Sequence, residues 1–228
     1  MAADHPSPSE MNRCSACGAD PGSSLACLAC GLILDPGRRP EHFGSLGLDS
    51  LAAFDPTMAE LNYLKLSRLL HPDFQAGVDE PTQGLAVRNS ALLNEAWKTL
   101  NDDQLRSEYL LELYDPGVLE RHKTLSPEFL MEAMEVSEEL DDAQIQGCKQ
   151  TIRKIAGSAR SEIETRMKDV ASACSATIAR IAHEGPEPGE TLPAKRLDPR
   201  DWNTDQIAVL LHQARVYRRI LRDTENVR

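Results

Sequence analysis

The sequence predicts an all-α protein with one small non-helical module at its front. Three observations predict it. Ala, Leu, Glu and Arg are plentiful while Thr and Val are thin, the composition of helices rather than sheets. Apolar residues recur at three- and four-residue intervals through most of the chain after residue 55. Asp55-Pro56 and Ser126-Pro127 stand where two of those runs begin, a capping side chain followed by a proline at the first helical position. Aromatics make up only 4% of the chain, so Leu, Ile, Met and Ala must fill the core. A length of 228 residues allows one or two domains.

The formal net charge of -11 argues against a general nucleic-acid binder, because neutralising phosphates takes clustered Lys and Arg. It suits partners with basic surfaces. No apolar run approaches the length of a membrane span. Residues 1–13 carry Asp4, Glu10 and two prolines, unlike a secretory or mitochondrial leader. We therefore expect a cytoplasmic bacterial protein, with the mitochondrial matrix as the alternative. In a reducing compartment its six cysteines are thiols or metal ligands rather than disulfides.

Residues 1–12 are polar, contain proline and show no periodicity, which predicts a disordered tail. Residues 13–40 hold Cys14-Ser15-Ala16-Cys17-Gly18 and Cys27-Leu28-Ala29-Cys30-Gly31. Two thiolates three positions apart can reach one ion, and the following glycine permits the tight turn that aims backbone N–H groups at the sulfurs. Cys14, Cys17, Cys27 and Cys30 together complete a closed tetrahedral zinc site, so the expected role is structural. Such a short module depends on its metal to fold. The same four thiolates also suit an iron–sulfur cluster. Cys148 and Cys174 lie on helical apolar stripes and read as small core side chains.

Residues 41–115 open with His42-Phe43-Gly44-Ser45-Leu46-Gly47-Leu48, a short helix and turn whose Phe43, Leu46 and Leu48 are expected to pack on the helices that follow. One long helix is predicted from Pro56 to about Leu70. A second runs from about Thr82 to Leu100, with Leu93, Ala96, Trp97 and Leu100 at helical spacing. A shorter one covers about Gln104 to Tyr114. The link between the two long helices begins Leu70-His71-Pro72-Asp73.

His-Pro-Asp between two such helices resembles the signature of J-domains, which switch on the ATPase of DnaK-type chaperones. The Phe-x-x-Leu-Gly-Leu opening and the later Arg106 and Tyr109 strengthen the likeness. The resemblance implies an antiparallel helical hairpin that holds His71, Pro72 and Asp73 at an outward tip against the chaperone. Tyr63, Lys65 and Arg68, on the helix before the tip, would extend that contact. Phe74-Gln75 departs from the common pattern, in which a Lys follows the motif. His71 as a catalytic base is disfavoured, since an Asp two residues away across a proline makes a poor dyad.

Residues 116–228 begin with the turn Asp115-Pro116-Gly117. The helix opened by Ser126-Pro127 has two apolar faces. Phe129, Ala133, Val136 and Leu140 form a core stripe, while Leu130, Met131 and Met134 point the other way among Glu135, Glu138 and Asp142. An apolar patch rimmed by acids is the composition of a docking site; the other reading is a helix buried on both sides. Ile145, Cys148, Ile152, Ile155, Ala159, Ile163, Met167, Val170, Cys174, Ile178 and Ile181 then read as one long core seam. A Pro/Gly-rich loop leads to a last helix with Ile207, Leu210, Leu211, Ala214, Tyr217 and Leu221 on one face. The three helices are expected to form a bundle.

The run from Phe129 to Asp141 resembles the scaffold-binding helix of the HscB family. Asn94–Leu100 and Arg106–Leu111 are similar to that family too, and a tetracysteine module before the J-domain is found in its longer members. The family's proteins are J-type co-chaperones that carry an IscU-type iron–sulfur scaffold to a DnaK/HscA-type heat-shock chaperone. The resemblance implies that Leu130, Met131, Met134, Glu135, Glu138 and Asp142 bind the scaffold, with an aromatic residue on the last helix, here Tyr217 or its neighbour Val216. It implies a non-enzymatic protein, as a monomer or weak dimer, with no nucleic-acid or membrane partner. The rival readings are a general J-domain co-chaperone for unfolded clients and a zinc-ribbon binding or regulatory protein.

Overall fold

A computed structural model describes residues 13–37, 40–48, 54–75, 79–184 and 203–226, without side chains at Pro72, Gln75, Tyr114 and 174–184. The tail at 1–12, the Pro/Gly-rich loop and the side chains of Cys174, Ile178 and Ile181 lie outside that description. The described residues are helical, apart from the cysteine module with its single β-bridge between Ala26 and Ile33. No described helix is long and apolar enough to cross a membrane. The chain divides into two compact units, Met1–Asp102 and Asp103–Arg228.

The first unit contains α1 (His42–Leu46), α2 (Pro56–Leu70), a 3-10 turn (Pro72–Gln75) and α3 (Glu80–Leu100). Asp55 caps α2 by accepting hydrogen bonds from the Thr57 and Met58 N–H groups at 2.9 and 3.3 Å. Asp79 caps α3 in the same way, from Thr82 N–H at 2.8 Å. Each such cap is worth about 1 kcal/mol. The two helices run back along one another, and Tyr63 of α2 stacks on Trp97 of α3 with ring centroids 4.7 Å apart. Ala59, Leu66 and Leu70 of α2, Leu93, Ala96 and Leu100 of α3 and Phe43 and Leu46 of α1 are all buried, and the three helices pack on one another. Leu61 and Leu64 also follow helical spacing, but on the outer face of α2, where both are exposed.

The buried stripe of α3 is Ala86, Asn89, Leu93, Ala96 and Leu100. Asn89 is a carboxamide in an otherwise apolar row. Its Nδ2 donates to the carbonyls of Leu25 and Leu34, both at 2.8 Å, one on each arm of the cysteine module. Further contacts seat the module on α1: Ser23 Oγ donates to Ser45 O and Ser24 N–H to Gly44 O. A Cβ at Gly47, which has φ +66°, would lie 2.1 Å from the carbonyl oxygen of Gly22, so only glycine permits that approach.

The second unit contains α4 (Asp103–Tyr114), α5 (Val118–Arg121), α6 (Pro127–Ile145), α7 (Lys149–Glu184) and α8 (Thr204–Glu225). α4, read from sequence as the last helix of the J-domain, packs here against α5, α7 and α8. α7 and α8 are the main packed pair, and two apolar clusters fill the space around them. In one, Phe129, Ala133 and Leu140 of α6 meet Ile152, Ile155 and Ala159 of α7 and Tyr217 and Ile220 of α8. In the other, Leu111 and Val118 meet Val170, Ile207 and Leu211. The pairing of early α7 with late α8 makes the two antiparallel. Glu108 of α4, nearly buried, receives a two-pronged bond from Arg215 of α8 at 2.7 and 2.5 Å, so this arginine belongs to the fold rather than to a free basic face.

One boundary differs from the sequence reading. The α7 seam does not begin at Ile145. α6 ends there in a left-handed stop: Gly147 has φ +65°, its N–H bonds to Gln144 O, and Cys148 N–H bonds to Ala143 O. This Schellman motif needs a residue free to adopt positive φ, which Gly147 supplies. Ile145 is left 84% exposed. The interval of three or four continued through the turn by coincidence of spacing. Beyond it α7 is helical through Gly157.

Candidate functional site

Three places in the fold carry the residues singled out by the sequence. The first is the cysteine module. Cys14 N–H bonds to Ala19 O and Gly18 N–H returns to Cys14 O; Cys27 N–H bonds to Leu32 O and Gly31 N–H returns to Cys27 O, all at 2.8 Å. The two pairs thus form the same tight turn twice. All four sulfurs lie within 4.8 Å of one another, with Cys14 to Cys30 at 3.6 Å and Cys17 to Cys27 at 3.8 Å. Zinc–sulfur bonds of 2.3 Å in a tetrahedron put sulfurs about 3.8 Å apart, so the geometry fits a closed four-thiolate site. Backbone N–H groups of Ala16 and Cys17 hold the Cys14 thiol down to about 7. At Cys30 the Leu32 N–H also lowers the value, but desolvation and the neighbouring sulfurs outweigh it and push the thiol up to about 12. One ligand is therefore ready as thiolate near neutrality, and another needs a cation to lose its proton.

The second place is the end of α2. His71 leaves the helix in extended backbone and Phe74 N–H bonds back to His71 O at 3.0 Å. Asp73 N–H donates to His71 Nδ1 at 3.2 Å, which favours the ring tautomer with its N–H at Nε2. His71 and Asp73 side chains are both exposed. Lys65 and Arg68 are exposed on α2. Tyr63 differs: its ring lies on Trp97 and its O–H bonds to Asn94 Oδ1 at 3.0 Å, so most of it is engaged within the unit. Phe74 counted as a missing charge in the sequence reading. In the structure it is 61% exposed, with the Arg68 guanidinium 5.5 Å over its ring and the His71 ring edge-on at 6.2 Å.

The third place is the outer face of α6. Leu130, Met131 and Met134 are 43%, 64% and 62% exposed, and Glu135, Glu138 and Asp142 are exposed beside them. The alternative of a helix buried on both sides does not hold. Tyr217 is a correction, since it is absent from this face. It is 4% exposed, its ring edge-on to Phe129 at 5.7 Å and under the Arg166 guanidinium at 4.6 Å. It lies on the core stripe of α8, and burial of so large a ring on that stripe decides its place. Burial also raises its phenol above the ordinary value. Val216 is half-buried against the same core.

Asn89 is the residue that sequence reasoning missed in the first unit, and a signal existed. It interrupts an apolar stripe at core spacing, and a buried polar side chain there implies hydrogen-bonding partners from elsewhere.

Comparison with known proteins adds the following. Residues 125–184 match the family model described as the HSCB C-terminal oligomerisation domain. The fold is similar to the crystal structure of human co-chaperone protein HscB, with a TM-score of 0.60 and 20% identity, over 93% of this chain and 97% of that one. It is similar to chaperone HscB from Vibrio cholerae with a TM-score of 0.57 and 21% identity, over 82% and 97% of the two chains. At such identities the structural likeness establishes the fold.

Proposed function

We propose, from the match of residues 125–184 to the HSCB C-terminal family model and from the likeness of the fold to two HscB structures, that the chain is an HscB-type J co-chaperone of iron–sulfur cluster assembly. His71, Pro72 and Asp73 meet a DnaK/HscA-type chaperone and stimulate its ATPase, with Lys65 and Arg68 steering the encounter and Tyr63 bracing α2. Leu130, Met131, Met134, Glu135, Glu138 and Asp142 hold an IscU-type scaffold. Cys14, Cys17, Cys27 and Cys30 hold a structural zinc ion. The chemistry belongs to the chaperone; this chain supplies two surfaces. Carrying client and stimulus on one molecule raises the client's effective concentration at the chaperone.

The observation that supports this reading best is the tip itself. Its His and Asp are exposed, while the ring is fixed by a bond from the backbone two residues on. A histidine serving only the core would be packed, and one serving as a base would sit in a pocket.

A coupled ATPase assay with the chain's own DnaK-type chaperone, with and without scaffold, tests the proposal. Wild type is expected to stimulate turnover, and scaffold to raise it further. His71→Gln is expected to lose stimulation on the order of ten-fold or more, because the imidazole is the central group of the three-residue tip contact. Equal stimulation by His71→Gln and wild type would overturn the reading. Capture of the scaffold by a Leu130→Ala/Met134→Ala variant as well as by wild type would favour a general co-chaperone for unfolded chains.

A further inference from the structure

We infer that the docking face of α6 does not end at Met134 but extends to Ile145, which is a second apolar anchor for the same protein partner. The inference rests on the scaffold-binding reading of α6 and adds a contact residue to it.

Ile145 is the most exposed of the large hydrophobic side chains in the described residues, at 84%. It does not sit on a fraying end. The Schellman stop at Gly147 closes the last turn, and Gln144 Nε2 ties that turn to Asp223 O of α8 at 3.0 Å. An isoleucine held in water on a capped, bridged turn gains nothing from the fold itself. Its position on the helix says what it belongs to. At about 100° per residue, the eleven steps from Met134 to Ile145 amount to three turns plus about 20°. On the same count Leu130 lies about 40° to one side of Met134 and Met131 about 60° to the other. Ile145 therefore falls inside the arc already spanned by the patch, about 16 Å further along the axis. The core stripe of Phe129, Ala133 and Leu140 occupies the opposite arc and is buried.

Between the two apolar ends the same arc carries acids. Glu138 lies about 40° from Met134 and Asp141 about 20° on the other side, with Asp142 at the edge; all three are exposed. The face thus reads apolar, acidic, apolar. Its occupant is a folded protein surface with two apolar depressions about three helical turns apart and basic side chains between them. An unfolded client needs no such register, and a lipid surface would not favour the acids.

The test is a calorimetric titration of the full chain, metal-loaded, with the purified IscU-type scaffold. The variants are Ile145→Ala, Ile145→Leu and Leu130→Ala. Ile145 makes no core contact, so its removal leaves thermal unfolding unchanged. The expected result is a roughly ten-fold loss of affinity in Ile145→Ala, as for one anchor at an interface, near-wild-type affinity in Ile145→Leu, and a comparable loss in Leu130→Ala. Loss in Leu130→Ala with Ile145→Ala within two-fold of wild type overturns the inference and leaves the scaffold reading standing. No loss in either variant overturns both. Unchanged scaffold affinity in Ile145→Ala, with weakened self-association by sedimentation velocity, assigns the residue to contact between copies and likewise overturns the inference.

Discussion

Among the described residues each unit carries an exposed apolar face, and the two differ in the charge beside them. On α2 and its tip, Leu61, Leu64 and Phe74 stand beside Lys65 and Arg68; on α6, Leu130, Met131 and Met134 stand beside Glu135, Glu138 and Asp142. The apolar content is alike, so it cannot tell one partner from another. The sign of the rim can, because like charges across an interface cost several kcal/mol while opposite ones speed and orient the encounter. The faces differ in support as well. The first is in the unit that holds the cysteine module; the second stands on α6, packed against α7 and α8.

The largest expected effect separates the faces by their support. Stripping the metal with a competing chelator is expected to unfold the cysteine module, since structural zinc contributes on the order of 10 kcal/mol to such modules. Amide-exchange protection is expected to fall over residues 20–34 and in α3, with α6 and α8 unchanged. Equal loss in both units would erase the distinction. The pH dependence follows from Cys30, whose thiol at about 12 is protonated at neutrality without metal. Binding must expel that proton, so affinity falls as pH falls, by about ten-fold per pH unit for each proton displaced. Cys14, at about 7, adds a further proton below that value. Chelator competition between pH 6 and 8 measures the slope.

Charge reversal is the next largest test. Glu135→Lys with Glu138→Lys is expected to weaken scaffold binding by about a hundred-fold and to leave chaperone stimulation intact. Lys65→Glu with Arg68→Glu is expected to do the reverse. If each pair impaired both partners alike, the rims would not be selecting anything.

A smaller effect is expected at the seam between module and hairpin. Asn89→Ala removes one buried and one part-buried hydrogen bond and leaves the Leu34 carbonyl without that donor, at a cost of about 1–3 kcal/mol. Urea unfolding followed by fluorescence of Trp97, which stacks on Tyr63, reads it. Lys98→Ala, exposed on the same helix, is expected to change stability by less than about 0.5 kcal/mol.

What could be read from the chain depended on whether a feature was written in neighbouring residues. His-Pro-Asp and the two Cys-x-x-Cys-Gly turns are contiguous, and their geometry is set by backbone hydrogen bonds within a few residues. The Leu/Met face of α6 was legible from periodicity, because a second apolar stripe cannot share the arc of the first. Three features escaped for reasons outside the local pattern. Asn89 answers to carbonyls 55 and 64 residues away. Ile145 kept helical spacing across a turn whose only local mark is Gly147. Tyr217 suited two roles, and packing against Phe129 and Arg166 chose between them.

The double grip of Asn89 on the cysteine module bears on how the hairpin can be studied or borrowed. Cutting away the first forty residues would not release a ready-made helical hairpin. It would strand a carboxamide on the apolar stripe of α3 and uncover the surfaces of α1 on which Ser23 and Ser24 now rest. Asn89→Leu would be the repair in such a trimmed protein, and in the intact one the same leucine would be an injury. A single position thus records that the hairpin was shaped with the cysteine module in place.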